Sequence, residues 1–130
     1  MDLTRYSPYA HGLLRMVAGL LFLQHGLQKL AGFPPSDHAG PALFSLFGIG
    51  GVIELVAGVL IIAGLFTRLA AFIASGEMAF AYFLFHAPQS PFPVNNGGDA
   101  AILYCFVFLF FVFAGAGALS IDGARSRDRS

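Results

Sequence analysis

Four runs of apolar residues, separated by short polar or proline-rich stretches, set the pattern of this chain. They cover roughly Tyr9–Leu30, Gly48–Phe66, Leu69–His86 and Ala100–Leu119. Each holds about 18–22 residues, enough at about 1.5 Å per residue to cross a hydrocarbon layer of about 30 Å. The pattern predicts an all-α fold, an integral membrane four-helix bundle forming one transmembrane domain over residues 1–130. Arg15, Gln24, His25 and Lys29 interrupt the first run, which argues against a cleaved signal peptide.

The separators carry their own signals. Residues Ala31 to Phe47 open with Gly32, Pro34 and Pro35 and then show Leu43, Phe44, Leu46 and Phe47, which predicts a turn followed by a short interfacial segment. Thr67 and Arg68 make a tight helical hairpin. Between Ala87 and Asp99, Pro88, Pro91 and Pro93 precede Asn95-Asn96-Gly97-Gly98, a pattern that predicts a non-helical loop. Asp99 then stands at the N-terminus of the last helix, where a carboxylate suits the dipole.

Composition reinforces the membrane reading. Hydrophobic residues make up 57% of the 130-residue chain and charged residues 11%. A small soluble domain buries too little of its surface to hide that much apolar area, and a chain this apolar does not stay disordered. Seven Lys+Arg balance seven Asp+Glu, so no basic face for nucleic acid is implied. The single cysteine, Cys105, excludes an intrachain disulfide, a Cys-x-x-Cys redox pair and a cysteine-based zinc site. Arg5, Arg68, Arg125, Arg127 and Arg129 fall on one side of a four-span topology, with Arg15 nearby and only Lys29 opposite. The positive-inside rule then places both termini in the cytoplasm.

Gly12, Gly19 and Gly26 form one helical stripe, and Gly51 and Gly58 another. Lipid gives apolar helices no hydrophobic reason to associate, so both stripes should face protein. Some of Phe106, Phe108, Phe110, Phe111 and Phe113 should face lipid, and others could line an apolar pocket.

Ionisable groups at membrane depth are costly and point inward. Helical rise places His25 about 7 Å and Glu54 about 9 Å below the outer boundary, with Tyr104 about 6–8 Å below it. His86, Asn96 and Asp99 belong at that rim, and Gln24, Gln28, Lys29 and Tyr82 complete a polar cluster in the outer half of the bundle. Lys29 is the natural partner of Glu54 by depth and sign, with His25 second. Glu77 falls nearer the midplane, where Arg15 is the candidate partner in a structural ion pair. Each group also has a bland reading: Glu54 and Glu77 as register locks, His25 as an interhelical hydrogen-bonding group, Lys29 and His86 as snorkelling side chains. No His-x-x-x-His or Glu-x-x-His spacing appears, so no metal site is expected.

Leu14-Arg15 with Gly19-Leu20-Leu21-Phe22-Leu23 and His25-Gly26-Leu27-Gln28-Lys29-Leu30 resembles the first helix of the DoxX family. Glu54-Leu55 with Gly58, Gly64-Leu65-Phe66-Thr67-Arg68-Leu69, Asn96-Gly97-Gly98-Asp99 and Leu119-Ser120-Ile121-Asp122 continue the likeness in the family's order. The resemblance implies a small four-helix bacterial inner-membrane protein. It also implies kinship with a subunit of a thiosulfate:quinone oxidoreductase, with the family signature on Arg15, His25, Gln28, Lys29, Glu54, Arg68, Asn96, Gly97 and Asp99.

Three functions stay open. In the first, the outer half binds a quinone or a small sulfur oxyanion, His25 and Glu54 move protons, and Lys29 supplies positive charge. No heme, iron–sulfur or flavin motif is visible, so electrons would need a bound quinone or a redox partner subunit. In the second, the chain is a non-enzymatic scaffold or assembly factor. The third is a small-molecule permease, for which four helices are few unless the chain forms a homo-oligomer.

Overall fold

A computed structural model of the chain describes residues 1–35 and 45–128. Every regular element in them is helical: α1 Ser7–Ala31, α2 Leu46–Ala63, α3 Thr67–Ala81, α4 Pro93–Asn96, α5 Asp99–Ala114 and α6 Ile121–Asp128. α3 runs on through a π-helical turn, Tyr82–His86, and a 3-10 turn, Ala87–Gln89.

Helix ends fall where the sequence supplies caps. Pro8 sits in the first turn of α1, where a missing N–H costs nothing. Gly32 ends α1 at φ 70° and Gly64 ends α2 at φ 69°, the left-handed conformation that glycine adopts without a Cβ penalty. Ser45 caps α2, its hydroxyl accepting from the Gly48 N–H at 3.1 Å. Asp122 caps α3 from far along the chain, its carboxylate accepting from the backbone N–H groups of Phe66 and Thr67 at 2.9 Å each.

Two linker expectations change. The stretch from Ala87 to Asp99 contains a 3-10 turn and the one-turn α4 rather than continuous loop. Pro88 and Pro93 each stand in a first turn, the one helical position that proline tolerates. In the expected interfacial segment, Leu43 and Phe44 lie outside the described residues, and Leu46 and Phe47 open α2.

Glycine lets α1 and α2 approach closely. A Cβ built on Gly26 would stand 2.6 Å from the Leu55 nitrogen and 2.8 Å from the Gly51 oxygen, both backbone atoms of α2. One on Gly58 would stand 3.1 Å from Leu23. The α1 stripe thus faces protein, as its spacing predicts. We expect Gly26→Ala to force the two backbones apart and destabilise the fold by about 1–3 kcal/mol, read as a lower melting temperature in detergent micelles. α3 meets α5 through its own small face, Ala70, Ala71, Ala74 and Ser75, against Phe108 and Phe111 of α5, which are fully buried with Phe22 of α1. The phenylalanine run of α5 divides: Phe108 and Phe111 fill the core, while Phe106, Phe110 and Phe113 face outward.

Outward apolar side chains are abundant. Phe72, Phe80 and Phe83 of the third helical stretch and Leu103, Phe106 and Phe113 of α5 are all more than 60% exposed. Contiguous surface of that kind does not stay monomeric in water. Two helical stretches are long and apolar enough to cross a membrane, Leu46–Ala63 with 18 residues and Thr67–Gln89 with 23. α1 has the length, 25 residues, but carries Arg15, Gln24, His25, Gln28 and Lys29. α5 is apolar and shorter, with 16 residues.

Candidate functional site

The buried charges meet where α1, α2 and α3 come together. Lys29 Nζ of α1 donates to Glu54 Oε2 of α2 at 2.7 Å, and the pair is well shielded: Glu54 is fully buried and the Lys29 side chain is 20% exposed. The ammonium also stands 4.7 Å from the centroid of the Phe47 ring, a cation–π contact that suits a desolvated cation. Lys29 is therefore the partner of Glu54 that depth and sign predict.

Glu77 of α3 joins the same cluster. Gly50 makes the room, because a Cβ there would stand 3.0 Å from Glu77 Oε1, 3.6 Å from Glu54 Oε2 and 3.8 Å from Lys29 Nζ. Two carboxyl groups and one ammonium therefore gather around the space that Gly50 leaves. Glu54 Oε1 and Glu77 Oε2 are buried and have no hydrogen-bond partner among the described residues.

The expected Arg15–Glu77 pair is not formed. Arg15 is fully buried, but its guanidinium donates to backbone carbonyls near the opposite end of the bundle. Nε donates to Ile61 O at 2.9 Å, and the terminal nitrogens donate to Ala116 O, to Ala118 O at 3.0 Å and to Leu119 O at 2.7 Å. The end of α2 and the turn after α5 expose carbonyls that lack helical partners, and a guanidinium with five donors satisfies several at once. Glu77 turns instead toward the acid on the neighbouring helix.

The remaining candidates separate into two groups. His25 is exposed and meets Tyr104 edge to face, with ring centroids 5.9 Å apart. Tyr104 in turn packs on Phe22 and Phe108 and lies within electrostatic reach of Glu54. At the rim, Asn96 spends its whole side chain on structure. Its amide donates to Tyr82 Oη at 3.2 Å and Ser90 O at 2.9 Å, and its Oδ1 accepts from the Gly98 N–H at 2.8 Å. His86 Nδ1 donates to Asn96 O at 3.0 Å. Asp99 is exposed in the first turn of α5. No hydrogen bond to protein is made by the side chains of Gln24, Gln28 or Asp99 among the described residues. No three His, Cys, Asp or Glu side chains among the described residues come together as metal ligands.

Beside the charged cluster, a groove of about 370 Å³ opens between α2 and α3. Leu46, Ile49, Phe72, Phe80 and Leu84 wall it, and Glu77 is the one ionisable residue among the described residues that line it. Gly76 leaves a gap in its wall, where an added Cβ would meet nothing within 4 Å. His25 and Lys29 do not line it, so the hollow lies one helix away from where the polar pattern of α1 suggests. Gly50, four residues before Glu54 and on the same helix face, is the sequence signal that marks the approach of Glu77.

A sequence model of the DoxX family matches residues 11–87. A Haemophilus influenzae protein described as uncharacterized is 45% identical over 126 residues, covering 93% of this chain and 94% of that protein. An uncharacterized membrane protein of Mycobacterium tuberculosis is 40% identical over 67 residues, covering 45% of this chain and 39% of its own length. No solved structure matches the chain.

Proposed function

The chain is a member of the DoxX family and a membrane protein, and on that premise we propose that it is a redox-associated subunit that holds a quinone in the groove between α2 and α3. The observation that carries this reading is Glu77, which lines an otherwise apolar groove and is backed by the Glu54–Lys29 pair. Apolar walls suit a lipid-soluble molecule, and the gap at Gly76 leaves space for one. A quinone, when bound, supplies two-electron chemistry coupled to protons. Glu77 holds a proton at the groove wall, and Lys29 offsets the charge of Glu54, so the cluster is neutral with the proton in place and carries one negative charge once the proton has passed to the quinone. The same residues argue against a sulfur oxyanion, because two acids outnumber one ammonium beside an apolar groove. His25 and Tyr104, which meet edge to face outside the groove, make a second station for that proton.

In this reading four helices, α1, α2, the α3 stretch and α5, cross the bacterial inner membrane as a bundle. Both termini are cytoplasmic, and the Lys29–Glu54–Glu77 cluster sits in the outer half. The arginine distribution supports that orientation. An alkaline phosphatase fused to the C-terminus should then be inactive.

The site is tested by mass spectrometry of protein purified in native lipid. Wild-type protein should carry extractable quinone, and Gly76→Leu, which fills the groove without a clash, should lower it at least about tenfold with no loss of melting temperature. Equal quinone in both, or none in either, rejects the site. A stoichiometric partner protein without quinone would favour the scaffold.

A further inference from the structure

We propose that two copies of this chain pair side by side in the membrane, in parallel, through an outward stripe of α1. Leu14, Val17, Leu21, Gln24 and Gln28 recur at alternating steps of three and four, which places them on one line along the helix. That line points away from the protomer: Leu14 is 44%, Val17 53% and Leu21 45% exposed, Gln24 is exposed, and Gln28 is half-buried. The glycine stripe of α1 faces the other way and is used up against α2 and the turn after α5.

The two glutamines decide what covers this face. Each primary amide has two N–H donors and a carbonyl acceptor, and neither amide is hydrogen-bonded to any of the described residues. Gln24 lies five residues from the midpoint of α1, about 7.5 Å along its axis and inside the half-thickness of the hydrocarbon, about 15 Å. Lipid tails provide no partner there. The covering surface must therefore offer both donors and acceptors at the depths of Gln24 and Gln28, with small apolar knobs deeper in.

A second copy meets that requirement without further assumptions. All copies insert with the same orientation, so a two-fold axis along the membrane normal sets Gln24 against Gln24, Gln28 against Gln28, and Leu21 and Val17 against their equivalents. An amide is self-complementary across such an axis, donating and accepting at once. The contact is isologous and closes at the dimer. The quinone groove is walled by α2 and α3 with no residue of α1, so it stays open to lipid. The pairing rests on α1 crossing the bilayer and is independent of what the groove binds.

The test uses full-length protein in native membranes with Cys105→Ala as background. Leu21→Cys should form a disulfide-linked species of twice the monomer mass under mild oxidation, whereas Val59→Cys, equally exposed on α2, should not. Adding Gln24→Leu and Gln28→Leu, which make α1 more apolar and so preserve insertion, should cut the cross-linked fraction about tenfold. Equal cross-linking at positions 21 and 59, or a fraction unchanged by the glutamine substitutions, overturns the proposal. Before oxidation, Leu21→Cys should resist a membrane-impermeant maleimide; labelling of intact membranes and spheroplasts alike would show instead that α1 does not cross.

Discussion

Replacing Arg15 with methionine is expected to lower the stability of the folded chain by about 3–5 kcal/mol. Among the described residues the guanidinium sits in no ion pair. It binds the carbonyl of Ile61, at the end of α2, and those of Ala116, Ala118 and Leu119 in the turn after α5, while its own helix is α1. Methionine matches much of the aliphatic stem and leaves the carbonyls of Ala116, Ala118 and Leu119 without this donor, whereas Ile61 O keeps the Gly64 N–H at 3.1 Å. An orphaned buried acceptor costs about 1–3 kcal/mol, and relaxation toward the helix ends recovers part of the sum. Arg15→Lys should rescue less than half of the loss, because one ammonium cannot span carbonyls from two different segments. Thermal unfolding in micelles, followed by helical circular dichroism, reads both variants. A methionine variant that melts with wild type would mean that these carbonyls do not depend on the guanidinium.

Lys29→Met comes second, with an expected loss of about 3–4 kcal/mol, because it strands a fully buried carboxylate beside a second acid. The informative control is the double variant Lys29→Met/Glu54→Gln. It removes both charges and gives Glu77 an amide donor, so it should recover more than half of the loss although it differs from wild type at one more position. Breaking one half of a buried pair costs more than removing both halves. If the double variant is less stable than Lys29→Met alone, the ammonium is not what neutralises the cluster. The pair of measurements needs only melting curves, so it does not depend on the identity of any ligand.

Helix positions, the glycine stripe of α1 and the Lys29–Glu54 pair were legible in the sequence. Hydrophobic runs, small-residue spacing and opposite signs at equal depth are local patterns, and each has a direct geometric meaning. The environment of Arg15 was not legible. Charge arithmetic looks for an opposite charge, but the acceptors are main-chain carbonyls, which every residue carries and no side-chain pattern marks. Glu77 was misplaced for a related reason. Like charges are expected to avoid each other, yet Glu77 approaches Glu54, and only the missing side chain at Gly50 hints that it does. Asn96 drew attention as a ligand-binding residue, whereas its amide holds the loop between α3 and α5 in place. The groove itself depends on how α2 and α3 diverge around Gly76, a property of two helices together.

The long reach of Arg15 has a consequence for biogenesis. With α1 crossing the bilayer as proposed, the ribosome delivers it about a hundred residues before it makes the carbonyls of Ala116, Ala118 and Leu119 that the guanidinium binds. Through most of translation the first helix would then carry a cation that lacks three of its eventual acceptors, and it must keep that group hydrated near the surface or sheltered by the insertion machinery. Removing residues 116–130 takes away all three of these carbonyls and should leave that helix exposed to quality-control proteases, although it spares the apolar stretch of α5.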